Sequence, residues 1–192
     1  MRINIDTRDL AKLTKLIERM ETEFPLAIAR GLNEGGDKVR TQVQRALKTQ
    51  TGLVRYSSVT SRVRTARAYA TGNGALSGIG PSRPASLSYA MFVSPKSTKI
   101  FEYKTKVKKG PGGGVTAWLW GAAHVFKRSF AGSGELAGKL KMRTEKGRLP
   151  LRSFKGANLA KEAVKDASAE AFFSTVETAI APAMFKHLMK LL

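Results

Sequence analysis

The run Lys108-Lys109-Gly110-Pro111-Gly112-Gly113-Gly114 is the first stretch whose residue types suit a chemical task. Bare backbone N–H groups beside ammonium groups are what a phosphate cradle needs. A nucleotide loop also requires a closing Gly-Lys-Ser/Thr and a helix behind it, whereas this run separates two stretches of alternating, strand-like pattern. The two histidines, His124 and His187, have no second ligand at metal spacing, so no metal is expected. Between Lys38 and Lys161 the only carboxylates are Glu102, Glu135 and Glu145, and none sits in a motif for acid–base work. With no cysteine there is no thiolate nucleophile, thiolate metal ligand or disulfide, which fits a reducing compartment. The chain is therefore read as a non-enzyme without catalytic residues, cofactor or small-molecule ligand.

Cations dominate instead. The 192 residues carry 34 Lys and Arg against 14 Asp and Glu, a formal charge of +20. From Lys38 to Lys161 there are 25 basic residues and three acids, a net +22. The flanking stretches are each net −1, with six basic and seven acidic groups in residues 1–37 and three and four in residues 162–192. Solubility needs a net charge of only about 2 to 8 in magnitude. Such a field attracts polyanions or an acidic protein face at close range, because salt screens it beyond roughly 8 Å. Trp118 and Trp120 share parity with Thr116; such a pair among cations is a base-stacking platform or, more commonly, half-buried core.

The elements that must position these charges follow from periodicity. Leu10, Leu13, Leu16, Ile17, Met20 and Phe24 predict a first helix, capped by Asp6 or Thr7. Pro25 suits the first turn of a second helix, in which Ile28, Leu32, Val39, Val43 and Leu47 form one stripe ending at Thr51-Gly52. Gly35-Gly36 within that stripe points to close approach of the backbone to a neighbour, or else to a bend in the helix, the first being favoured.

From Tyr56 to about Gly121 the period becomes two. Val59 and Val63 alternate with Thr60, Arg62 and Arg64; Leu87, Tyr89, Met91 and Val93 share one parity. Phe101, Tyr103 and Val107 alternate with Glu102, Lys104, Lys106 and Lys108, which predicts a strand with one buried and one cationic face, in a hairpin over 99–121. Asn158 caps a long final helix with Leu159, Ala163, Ala167, Ala171, Ser174 and Thr178 on one narrow face, interrupted by Pro182. The amphipathic tail AMFKHLMKLL docks on the chain's own core or on a neighbouring subunit.

The fold class expected is α+β: N-terminal helices and a long C-terminal helix packed against a mainly antiparallel β-sheet with a protruding hairpin. A single domain over 1–192 divides into a helical part (1–52), a basic β-rich part (53–156) with loops at 71–84, 109–114 and 131–138, and the C-terminal helix (157–192). The N-terminus lacks the apolar core of a signal peptide, and no stretch approaches the roughly 18 apolar residues of a membrane span. A soluble protein of the cytoplasm, with no membrane partner, is expected.

Four pieces in order then resemble the minor tail protein Z family of tailed bacteriophages and prophages. They are ARGLNEGGDKVRTQVQRALKTQTGL (29–53), the Arg-rich strand after it, AHVFKRSF (123–130) and GRLPLRSFKGANLAKE (147–162). The corresponding positions are Ala29 to Asn33, Val39 to Thr41, Thr51 to Leu53, Val125 to Arg128, and Arg148 to Arg152 with Phe154 and Gly156. The family commonly continues Pro-Ser-Val-Pro after that glycine, where this chain has Ala157-Asn158-Leu159-Ala160.

The resemblance implies a structural virion protein in the neck, a tail completion or head–tail joining component assembled in the host cytoplasm. It implies a homo-oligomeric ring, a hexamer, around the DNA channel, touching a tail terminator or tail tube and head-side connector proteins, with non-specific contact to phage DNA. Combined with the charge pattern, the DNA- or partner-facing set is Arg62, Arg64, Arg67, Lys104, Lys106, Lys108, Lys109, Lys127, Arg128, Arg148 and Arg152. The subunit-packing set is Leu32, Val39, Val43, Phe172, Val176 and Ile180. Leu149 and Leu151 point inward, and whether Arg148 and Arg152 face DNA or an acidic partner stays open. A free cytoplasmic nucleic-acid-binding protein is the alternative reading; a membrane-active basic protein anchored by AMFKHLMKLL is the poorer one.

Overall fold

The computed structural model describes residues 7–70, 87–108, 114–131, 139–143 and 150–191, with side chains described from residue 23 onward except at residue 143. The expected N-cap Asp6, the loop 71–84, Lys109 with the glycine turn to Gly113, residues 132–138, and Arg148 with Leu149 lie outside the described residues.

The fold is α+β, with antiparallel pairing throughout the registers described. One expected sheet is replaced by four small ones. Helix α1 (Thr7–Thr51) leads to a single turn α2 (Ser57–Thr60) and strands β1 (Val63–Ala66), β2 (Ala90–Val93) and β3 (Ser97–Lys99). A 3-10 turn (Ile100–Glu102) precedes β4 (Thr105–Lys108), β5 (Gly114–Leu119), β6 (Ala122–Lys127) and β7 (Ser129–Ala131). Strands β8 (Leu140–Arg143), β9 (Leu151–Ser153) and β10 (Lys155–Asn158) lead into helices α3 (Leu159–Glu162) and α4 (Asp166–Leu188). The sheets are β1-β2, β10-β3, β4-β5-β6 and β7-β8-β9.

Three helical expectations are corrected. Pro25 lies inside α1 instead of opening a second helix. A proline removes one i→i−4 hydrogen bond, and a helix this long keeps its neighbours' bonds on both sides. The final helix is two: Asn158 caps α3, its Oδ1 accepting from the N–H groups of Ala160 and Lys161 at 3.1 and 3.4 Å. The chain breaks before Asp166, whose φ of +47° no helix tolerates, and α4 then runs through Pro182.

By its contacts the chain divides into two compact units. One comprises Met1–Val39, Thr65–Ala90 and Thr175–Leu192. Here the glycines of the α1 stripe admit close neighbours, as expected for Gly35-Gly36. A Cβ on Gly36 would lie 2.5 Å from the Tyr89 ring, one on Gly35 3.0 Å from Ile180 Cα, and one on Gly31 2.6 Å from Met184 Cα. Asn33 is locked to the backbone of Ala68 by two 2.9 Å bonds. Glu34 accepts from Lys186 and His187 at 3.0 and 2.9 Å. Those donors, with Lys38, hold its carboxyl down to about 2.

The other unit comprises Arg40–Arg64 and Met91–Ser174. Its core is Val43, Leu47, Leu53, Val59, Val63, Ile100, Tyr103, Val115, Ala117, Leu119, Leu140, Ala157 and Leu159. Gly52 ends α1 at φ +78°, its N–H reaching Lys48 O at 3.0 Å, so Thr51-Gly52-Leu53 turns the chain directly into this core. Leu53 bridges to Tyr103, and Thr51 O accepts from Trp120 N at 3.1 Å. The Tyr103 hydroxyl lies 2.6 Å from Thr98 Oγ1 and accepts from Ala157 N at 3.0 Å. Burial pushes that phenol above its ordinary value of 10.0. Gly156 leaves room for this cluster: a Cβ there would sit 2.5 Å from both Thr98 Oγ1 and Tyr103 Cε2.

Candidate nucleic-acid interface

Alternation in β4 and β5 sorts the side chains of the three-stranded sheet onto two faces. Val115, Ala117 and Leu119 are buried beneath it. In register, Lys106 faces Thr116 and Val125, Lys108 faces Gly114 and Lys127, and Trp118 faces Ala123. Lys104 joins the same face: its O accepts from Trp118 N at 3.0 Å, and its Nζ sits 5.3 Å from the Trp118 ring centroid. Lys104, Lys106, Lys108 and Lys127 therefore share one side of one sheet around a half-buried tryptophan. Among the described residues none of the four pairs with a carboxylate.

The two-residue turn Trp120-Gly121 makes this sheet possible. Both residues have positive φ, +49° and +75°, the type I′ geometry whose twist matches the flanking strands. Trp120 is thus a turn residue, half exposed and 6.0 Å edge-on to His124, not a second member of a Trp118 platform. Val107 is corrected too. It shares parity with the buried residues but is 43% exposed, because β4 is an edge strand. Phe101 belongs to the 3-10 turn, which interrupts the single strand expected before Tyr103.

The arginine cluster does not act as one patch. Arg62 donates to Glu102 Oε1 at 2.7 Å and to Ser58 O at 2.5 Å, and the Arg62 and Glu102 side chains are each only 18% exposed. Glu102 Oε2 is buried without a hydrogen bond among the described residues. Arg67 pairs with Asp37 at 2.5 Å, and Asp37 also accepts from Tyr89 at 2.9 Å. Only Arg64, on β1, stays exposed without a described carboxylate, and the strand reading across Val59 to Arg62 gives way to α2.

Arg64 instead lines a groove of about 1300 Å³, shared with Arg55, Lys96, Lys99 and the Arg62–Glu102 pair. Arg55, Lys96 and Lys99 were not singled out in the sequence. The only signal for Lys96 and Lys99 is the polar, proline-containing segment Ser94-Pro95-Lys96-Ser97-Thr98-Lys99, and Arg55 has none. Exposed Phe92 and Val54 also line it.

Of the remaining basic positions, Lys127 and Arg128 follow each other at the end of β6, and Arg152 is exposed on the edge strand β9. Leu151 is partly buried. In the subunit-packing set, Val39 and Val43 are buried within the chain and offer no surface to a second copy. Phe172 is exposed, and Leu32, Val176 and Ile180 are partly so. Among the described residues no cluster of three His, Asp or Glu groups is placed to hold a metal ion, and no helix is long and apolar enough to cross a membrane.

No family model, curated protein or solved structure matches this chain. The likeness to the minor tail protein Z family rests on the residues quoted above.

Proposed function

We propose that this protein is a structural, non-catalytic component of a tailed-bacteriophage neck, multimeric around the DNA path, which holds duplex DNA by its phosphates. The observation that carries the DNA contact is the lysine face of β4-β5-β6, whose cations pair with no carboxylate among the described residues. Alternate residues of a strand are about 6.8 Å apart, so the cations form a row along the sheet face. A row of lysines that meets phosphates, which carry no sequence information, gives a grip that is salt-sensitive and independent of sequence. DNA that must pass through a neck needs that kind of hold. The placement in a neck is supported by the ordered resemblance over residues 29–162.

The test has two arms. Neutralising four phosphates gives a log–log salt slope of about −3.6 for duplex binding. The pair Lys106→Gln and Lys108→Gln should reduce that slope by about 2 and weaken all duplex sequences alike. An unchanged slope removes the lysine face from the interface. Localisation by electron cryomicroscopy in virions of a phage that encodes the chain supplies the second arm: density at the head–tail junction is expected. A chain that binds DNA but is missing from the particle is a free nucleic-acid-binding protein instead.

A further inference from the structure

Two unpaired surfaces of opposite sign lie on the second unit. The first is the groove, in which the Arg55, Arg64, Lys96 and Lys99 side chains form no ion pair among the described residues and whose lining includes Phe92 and Val54, 58% and 56% exposed. The second is the start of α4. Glu170 and Phe173, spaced i, i+3, lie on one helix face, and Asp166 stands at the turn that opens the helix. All three are exposed, Phe173 by 64%, and neither carboxylate pairs with a base among the described residues.

An exposed Phe beside two unpaired acids is anomalous in a chain of charge +20, which has cations in surplus to neutralise them. We infer that the acidic, aromatic face of α4 in one copy docks in the basic groove of the next. The opposite charges match in kind, and each surface brings an apolar group to the contact. The groove volume accommodates several side chains of one helix face. Because groove and stripe are different surfaces of one chain, the contact is head-to-tail, the kind that closes into a ring or continues as a filament. This inference rests on the multimeric part of the reading above and supplies its interface.

The experiment is sedimentation velocity on the full chain at fixed, near-physiological salt, with circular dichroism as a folding control. Wild type should self-associate. Arg55→Glu with Arg64→Glu, or Asp166→Asn with Glu170→Lys, should each raise the assembly midpoint by about tenfold or more. Asn is used at 166 because it accepts the positive φ there. Mixing the two variants should restore association, since each interface in an alternating assembly again joins opposite charges. A monomeric wild type, variants that assemble like wild type, or a mixture that stays apart despite folded components would each overturn the inference. So would duplex DNA that loses affinity on Arg55→Glu with Arg64→Glu but not on the lysine-face substitutions, which would make the groove a nucleic-acid site. DNA binding that survives in a monomer would sink this interface and leave the phosphate contact standing.

Discussion

Substituting Gly156→Ala should destabilise the second unit by about 2 to 6 kcal/mol. The added methyl would sit 2.5 Å from Thr98 Oγ1, 2.5 Å from Tyr103 Cε2 and 2.9 Å from Tyr103 Oη. None of these atoms is free to retreat. Thr98 and Tyr103 are buried and joined at 2.6 Å; Thr98 Oγ1 donates to Ala157 O at 3.0 Å, and Tyr103 Oη accepts from Ala157 N at 3.0 Å. Overpacking alone costs about 1 to 3 kcal/mol. Moving either side chain leaves a buried polar group without its partner, a further 1 to 3 kcal/mol or so. Against a total stability of roughly 5 to 15 kcal/mol that is a large fraction.

Trp118 and Trp120, the only tryptophans, both belong to this unit, so urea unfolding followed by tryptophan fluorescence reports on it. With a slope of about 2 kcal/mol per molar urea, the midpoint should fall by at least about 1 M. Gly121→Ala is the contrasting control: no atom lies within 4 Å of its Cβ position, and only the φ of +75° opposes the change, worth about 1 to 2 kcal/mol. Equal losses in the two variants, or no loss at Gly156, would show that crowding around Tyr103 is not what that glycine relieves.

Glu34→Gln should flatten the acid limb of stability in the first unit. A carboxyl lowered from 4.5 to about 2 stabilises the fold above 4.5, and that contribution is lost as pH falls through about 2, so pH titration of helical circular dichroism should lose slope in that window. Gly36→Ala places a methyl 2.5 Å from the Tyr89 ring and should lower thermal stability by about 1 to 3 kcal/mol, read by calorimetry. Arg62→Ala should cost about 2 to 4 kcal/mol in urea unfolding by stranding Glu102, whereas Arg64→Ala stays within about 0.5.

Periodicity reported what local spacing controls. The lysine face of β4, the Thr51-Gly52 stop and the Asn158 cap are all set by neighbours within a turn or two, whereas the parity expected for Leu87 to Val93 is broken by exposed Leu87 and half-buried Ala90. What escaped was decided elsewhere in the chain. Pro25 reads as a helix start, but continuity of α1 outweighs one missing bond. Val39 and Val43 sit on an apolar stripe that suits a partner or the chain's own core, and only tertiary packing chooses. Arg62, Arg64 and Arg67 look alike in sequence; their different fates follow from Glu102 and Asp37, 40 and 30 positions away respectively. The groove was invisible for the same reason, since it joins residues 54–64 to residues 92–103.

The division of basic residue types between the two surfaces bears on what each one meets. On the sheet face all four cations are lysines, compact and strongly hydrated charges that hold a phosphate without fixing its orientation. The groove adds to Lys96 and Lys99 three arginines, Arg55, Arg62 and Arg64, whose planar forks match a carboxylate at two oxygens, and one of them already holds Glu102 within the chain. A ligand that slides past favours the first kind of contact, and one that must stay in register favours the second. Exchanging the types should therefore separate the two tasks. Arginine at Lys106 and Lys108 should keep the salt slope of duplex binding, since charge is unchanged. Lysine at Arg55 and Arg64 should weaken self-association in sedimentation although no charge is lost. If the lysine variants assemble like wild type, charge alone governs the groove, and the geometric part of this argument fails.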